Sequence, residues 1–285
     1  MEDVQFPASL PSNPLKRFVK VQLGRVVAAL NPKYAQKIAA GELPSRLSTR
    51  EWLLIAALVD RHERAGTLDE LAPLHAWLWQ GQQAVAFHAQ AKERFSSWWL
   101  ENQVAIVEPI RVLLDAPGSP YRVLCEIGCG SGLVIADLAE RLPQLDELIG
   151  LDLSPAQTAL NREQNTNPRL SFVAGDAAAW VPEHARPGTI YMTVAGVFEY
   201  FSYRSLEKLF AHVSTELKPA IIAVIEPIAQ DYDLERETVS RPYGSEHSLG
   251  HNYILLLRNA GFHVVYQREE QLGGARFLSV VAVCS

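Results

Sequence analysis

The chain has 285 residues, of which 48% are hydrophobic and 20% are charged, and its formal net charge is −6. This length and composition allow a sizeable globular core, built as one large domain or as one domain with an accessory part. The acidic balance argues against nucleic acid as a partner, and no apolar run is long enough to span a membrane.

Cysteine usage and the first residues indicate the compartment. Cys125, Cys129 and Cys284 are an odd number without metal-ligand spacing, so we expect neither a metal site nor a disulfide framework. Acidic residues and prolines interrupt the start of the chain, and no signal peptide is expected. We therefore predict a cytoplasmic protein.

The first 115 residues carry helical patterns and are predicted to form an N-terminal helical lid or accessory domain, with residues 116–285 as the second domain. After a proline-containing arm at 1–14, helical periods span residues 15–30, 48–66, 67–80 and 84–114, the last with a break expected before Pro109. Ser48 and Glu51 have the spacing of a capping box, and Gly66 marks a helix end.

Four of the six tryptophans fall between Trp77 and Trp99. Aromatic residues at helical spacing usually pack in a core, which is the simpler interpretation. The alternative is an aromatic wall over a substrate pocket, with His88 and Arg94 as its polar members.

A glycine-rich turn follows the first predicted strand, in the stretch YRVLCEIGCGSG at residues 121–132. Glycine permits a sharp turn and lets a ligand approach the main chain, and the amides that begin the next helix are donors. The dinucleotide fingerprint G-x-G-x-x-G would need glycine where Leu133 stands, which weakens a pyrophosphate site.

A second candidate site lies at the end of the next predicted strand, at Asp152. A carboxylate there can accept hydrogen bonds from both ribose hydroxyls, which nicotinamide and adenosylmethionine sites share. Asp152 therefore favours an adenosine-containing cofactor without deciding which one.

The pattern E-x-G-x-G-x-G at residues 126–132 resembles the first motif of the class I S-adenosylmethionine-dependent methyltransferases. Later segments are similar to that family in order: strand 170–174 ends near Asp176, strand 189–195 precedes Gly196, and a terminal hairpin is expected around residues 262–283. The resemblance implies a Rossmann-like α/β fold with a seven-stranded, mostly parallel sheet and an antiparallel C-terminal hairpin, beside the N-terminal helices.

The resemblance also implies the roles of the site residues. Glu126 would face the ammonium group of the cofactor, Asp152 would bind ribose and Asp176 would bind adenine. The remaining cofactor-binding residues would be those along the methionine part, beside the adenine ring and at the exit of strand four: Gly128, Cys129, Gly130, Leu153, Ala177, Ala195 and Gly196.

In-line methyl transfer needs a nucleophile held near the methyl group, with a base only where its pKa demands one. The catalytic candidates are Glu199, Tyr200 and His251, with His247 as a further histidine. We predict a methyltransferase acting on a small-molecule acceptor, and the oligomeric state stays open, a homodimer included. A noncatalytic cofactor-binding subunit and a nicotinamide-dependent oxidoreductase are the alternatives.

Overall fold

The computed structural model describes residues 14–44, 47–80, 88, 95–243, 248–272 and 274–285. The first part is helical: α1 (Pro14–Leu30), α2 (Pro32–Ala39), α3 (Thr49–Ala65), a 3-10 turn (Leu68–Leu71) and α4 (Ala72–Gln80). Among the described residues, no helix has the length and apolar character needed to cross a membrane.

Helix α3 begins and ends where the sequence predicts. The backbone N–H of Ser48 donates to the Glu51 carboxylate over 2.8 Å, completing the capping box, and Gly66 closes the helix in the left-handed conformation. Leu54, Ile55 and Val59 pack in a core formed with α2 and α4. The helical part therefore has an apolar core of its own.

The described residues from Phe95 onward belong to a different core. A π turn (Phe95–Trp99), α5 (Leu100–Asn102) and α6 (Val104–Leu114) lead to the sheet, and α6 packs against it through Ile106, Val107 and Ile110. Pro109 lies inside α6 instead of breaking it, because the burial of these side chains compensates for one missing backbone hydrogen bond. Packing alone would thus divide the chain near residue 80, earlier than the predicted boundary at 115.

A seven-stranded sheet forms the centre of the second part. Its strands are β1 (Val123–Ile127), β2 (Glu147–Asp152), β3 (Leu170–Ala174), β4 (Thr189–Val194), β5 (Ala220–Ile228), β8 (His263–Leu272) and β9 (Ala275–Cys284). The spatial order is β3-β2-β1-β4-β5-β9-β8. Strands β1 to β5 are parallel, and β9 runs antiparallel between β5 and β8, which confirms the predicted fold class.

Among the described residues, five helices join α6 in covering the two faces of this sheet. They are α7 (Leu133–Arg141), α8 (Pro155–Gln164), α9 (Ala177–His184), α10 (Tyr203–Glu216) and α11 (Tyr253–Asn259). The chain order reverses at β1, which pairs with β2 on one side and β4 on the other. Open α/β sheets bind ligands beyond the carboxyl ends of the strands at such a reversal.

The connection between β5 and α11 contains two short strands. The sequence predicts a helix from about residue 248 to residue 260, but β6 (Arg241–Tyr243) and β7 (Ser248–Gly250) form a small antiparallel ribbon, and α11 begins only at Tyr253. Asn252 caps α11 by accepting a hydrogen bond from the N–H of Leu255 over 3.0 Å. This capping asparagine sets the start of the helix.

Candidate functional site

A cavity of about 680 Å³ lies at the carboxyl ends of the parallel strands. Its lining includes all ten residues predicted from the sequence to bind a cofactor: Glu126, Gly128, Cys129, Gly130, Asp152, Leu153, Asp176, Ala177, Ala195 and Gly196. Residues at the ends of β1, β2, β3 and β4 thus line the same cavity, and its volume is usual for a small-molecule site.

The glycine turn after β1 needs glycine for conformation and for space. Gly128, Gly130 and Gly132 have φ angles of 71°, 48° and 73°, in the left-handed region. A Cβ on Gly128 would lie 2.6 Å from the Val197 side chain, and one on Gly130 would lie 2.7 Å from the ring of His88. Side chains at these two positions would therefore collide with Val197 and His88.

Asp152 fastens this turn to the end of β2. Its Oδ2 accepts the backbone N–H of Gly130 and its Oδ1 accepts that of Ser154, each over 2.9 Å. The carboxylate is buried, yet it lines the cavity, and each of its oxygens has a further lone pair to offer a ligand. Asp152 therefore shapes the turn and faces the ligand space at once.

A second support lies beneath the turn and was missed by the sequence analysis. The Asn161 side-chain amide donates to the carbonyl of Gly130 over 2.7 Å, and Gln157 donates to Asn161 over 2.9 Å. Both residues are buried on the inner face of α8. Two amides four residues apart on one helix face, directly after Asp152, were the available signal.

Glu126 brings a buried carboxyl group to the cavity. Burial, and then the negative charge of Asp152, raise the pKa of Glu126 well above its usual value. Its Oε2 has no hydrogen-bond partner among the described residues. A buried acceptor without a partner is costly, and a cationic donor in the cavity would satisfy it and favour its ionised form.

Asp176 combines a capping role with access to the cavity. Its Oδ1 accepts the N–H of Ala178 over 2.9 Å, which caps α9, and the residue is solvent-exposed at the rim. Ala177 beside it is buried against the core.

The exit of β4 has an unusual backbone. Ala195 adopts φ of 61°, rare for a residue with a side chain, and Gly196 adopts 99°. The buried Glu226 carboxyl group accepts the N–H of Val197 over 3.0 Å, and burial raises the pKa of Glu226 to about 7. This acid thus holds the loop after β4, and sequence reasoning assigned it no role.

The three catalytic candidates occupy different places. Tyr200 lines the cavity, whereas the described cavity lining includes neither Glu199 nor His251. Glu199 is buried behind the loop and accepts a hydrogen bond from the hydroxyl of Tyr243.

His251 is enclosed in the wall that supports the loop. Its Nε2 contacts the carbonyl of Phe201 over 3.1 Å and its Nδ1 contacts the Ser240 hydroxyl over 2.6 Å. Burial lowers the pKa of His251 to about 3, so the ring is neutral at physiological pH. The candidates His247 and Arg94 lie outside the described residues.

Helix α4 supplies a wall that faces the glycine turn. His75 and Trp79, one turn apart, line the cavity together with Phe95 and Trp98. The ring of Tyr200 lies 5.0 Å from that of Trp79 and 5.7 Å from that of His75, in edge-to-face geometry. His88 and Trp99 also line the cavity, and Trp99 is at the same time buried against the sheet core, where its indole donates to Asp137 over 2.8 Å. Trp79, Trp98 and Trp99 therefore all contribute to the cavity lining, and Trp99 also belongs to the core.

Comparison with known families assigns the central part of this fold. Residues 124–220, which contain the glycine turn, Asp152 and Asp176, match the family model described as "Methyltransferase domain". The chain therefore contains a methyltransferase domain, and its sheet has the class I topology. Both findings agree with the resemblance that the sequence motif carries.

Two curated relatives and two solved structures illustrate how far this chain resembles known proteins. Trans-aconitate 2-methyltransferase of Methylobacterium radiotolerans is 46% identical over 81 residues, 28% of each chain. The protein of the same name from Deinococcus radiodurans is 32% identical over 127 residues, 35% of this chain and 48% of that protein. The chain therefore matches less than half of the length of these relatives.

The structural likeness concerns the fold. Human N-acetylserotonin methyltransferase, solved in complex with S-adenosylmethionine, matches with a TM-score of 0.50 at 17% identity. The match covers 72% of this chain and 56% of the human chain. A chain from the complex between the Haloferax volcanii Trm112 methyltransferase activator and a methyltransferase has the same TM-score and identity, and covers 70% of this chain and 94% of its own. Both agree with the class I topology.

Proposed function

We propose that the protein is an S-adenosylmethionine-dependent methyltransferase that acts on a small-molecule acceptor. The observation that carries this proposal is the buried Oε2 of Glu126, which has no partner among the described residues and belongs to a cavity lined by the glycine turn. The cofactor is cationic at its ammonium group and at its sulfonium, and a carboxylate in a water-poor cavity stabilises such charge.

The remaining contacts follow the order of the strands. Asp152 would accept hydrogen bonds from the ribose hydroxyls through lone pairs not used by Gly130 and Ser154. Asp176 at the rim would accept the adenine amino group, with Leu153 and Ala177 beside the ring. The backbone of Gly128, Cys129 and Gly130 would lie along the methionine part, because these three residues line the cavity at the glycine turn.

The bound cofactor supplies an activated methyl group, so the protein mainly has to hold the acceptor in line with it. Tyr200 is the catalytic candidate that lines the cavity, and we assign it contact with the acceptor. Glu199 and His251 would act as positioning residues, since both lie behind the loop that carries Tyr200. The N-terminal helices would cover the acceptor, because α4 forms one wall of the cavity.

Calorimetry is the direct test. We expect binding of S-adenosylmethionine and of its demethylated product at one site per chain, and none of a nicotinamide dinucleotide at the same concentrations. Tight binding of the dinucleotide would replace this proposal with an oxidoreductase. Binding of adenosylmethionine without methyl transfer to any acceptor in a broad metabolite pool would favour a noncatalytic cofactor-binding subunit.

A further inference from the structure

The acceptor side of the cavity has a distinct chemistry that bears on the substrate. Helix α4 turns Leu74 into the core of the helical part, where it is buried with Leu71, and turns His75 and Trp79 towards the cavity. Residues four apart lie on one helix face, so the two rings form a continuous strip. The cavity wall is therefore fixed by a packed helix.

Tyr200 extends this strip from the loop after β4. Its ring makes edge-to-face contacts with both His75 and Trp79. Phe95 and Phe277 add apolar lining from the π turn and from β9. Aromatic rings prefer the edges and offset faces of other aromatic rings, at a gain of about 0.5–1.5 kcal/mol per pair beyond simple burial.

The charged residues of the cavity lining also bear on the chemistry of the acceptor. Its acidic residues are Glu126, Asp152 and Asp176, its basic residues are the histidines His75 and His88, and no lysine or arginine belongs to the lining among the residues that the structure describes. A ligand with several carboxylates would lose its hydration there without a guanidinium or ammonium partner. The described wall therefore disfavours polyanionic acceptors.

We propose that the acceptor is a planar aromatic molecule, a phenol or an aromatic nitrogen heterocycle, that binds against Trp79 and Tyr200. This inference rests on the proposed methyltransferase function and narrows its substrate class. Trp79 then determines specificity, and His75 lies beside the acceptor's hydroxyl or ring nitrogen. The transfer forms a bond from the acceptor's oxygen or nitrogen to the methyl carbon, breaks the carbon–sulfur bond, releases neutral S-adenosylhomocysteine, and passes the acceptor proton to solvent or to His75.

The test uses the full chain and three variants: Trp79→Ala, Trp79→Phe, and Trp52→Phe as a matched control. Trp52 is a half-buried tryptophan of the same helical part that packs on its core and does not line the cavity. With the protein saturated in S-adenosylhomocysteine, the binding of catechol, of indole and of trans-aconitate is measured by fluorescence. Methyl transfer to each compound is measured with labelled S-adenosylmethionine.

We expect at least one aromatic compound to bind and to be methylated. Trp79→Ala should lower kcat/KM for it at least about tenfold, while Trp79→Phe and Trp52→Phe stay within about threefold. The affinity for S-adenosylhomocysteine should stay unchanged in all three variants, which separates acceptor binding from cofactor binding.

Three results would overturn the inference: no aromatic compound binding at millimolar concentration, trans-aconitate methylated as efficiently as the aromatic compounds, or unaltered kinetics in Trp79→Ala. Melting curves show whether Trp79→Ala is folded, and if it is not, Trp79→Leu replaces it. Failure of the parent chain to bind S-adenosylhomocysteine would instead contradict the proposed function itself.

Discussion

Replacing Asp152 with alanine tests the cofactor site most directly. The substitution removes the acceptor of two backbone N–H groups, those of Gly130 and Ser154, and the carboxylate proposed to bind ribose. Hydrogen bonds to a charged group contribute about 1.5–3 kcal/mol, so we expect S-adenosylmethionine to bind roughly ten- to a hundredfold more weakly. Because the carboxylate lines the cavity and water can replace it there, the free energy of unfolding should fall by only about 1–2 kcal/mol.

Calorimetry with S-adenosylmethionine and urea unfolding provide the two measurements. Asp146→Ala is a suitable control, since Asp146 is an exposed acid at the opposite end of the same strand, just before β2 begins. It should change neither the affinity nor the stability. Unaltered cofactor affinity in a folded Asp152→Ala variant would remove the ribose assignment and, with it, much of the cofactor proposal.

Three further outcomes are expected. Gly130→Val should abolish cofactor binding while the sheet survives, since its Cβ would lie 2.7 Å from the His88 ring. Gly118→Val, also left-handed but with open space around it, measures the backbone cost alone, and equal cofactor affinity in both variants would show that space at the turn is irrelevant. Asn161→Leu should weaken cofactor binding several-fold, because the carbonyl of Gly130 loses its donor; calorimetry would show no change if the amide does not position the turn. Burial raises the pKa of Glu226 to about 7, against about 4.5 in the unfolded chain. The resulting contribution to the free energy of unfolding is complete below pH 4.5 and is lost as the pH rises through 7, a change of about 3 kcal/mol in all. Urea unfolding between pH 5 and pH 8 should therefore show a smaller decline for Glu226→Gln than for the parent chain, and equal declines would contradict the assignment.

Local chemistry in the sequence determined much of the fold and the part of the cavity formed by the strand ends. The capping box at Ser48, the apolar strand before Gly128 and the acid ending β2 each depend on neighbours within a few residues. Because parallel strands present their carboxyl ends at one edge, knowing where the strands end was enough to bring Glu126, Asp152 and Asp176 together.

Tertiary structure alone decided which side chains face the cavity and which are enclosed. Tyr200 follows the parallel strand β4 and lines the cavity, whereas His251 follows β7 of the antiparallel ribbon and is buried behind the loop that carries Tyr200. The partners of Tyr200, His75 and Trp79, come from a helix more than a hundred residues earlier in the chain. No local pattern encodes that contact, because it depends on how the helical core docks against the strand ends, and this docking determines which side chains line that wall of the cavity.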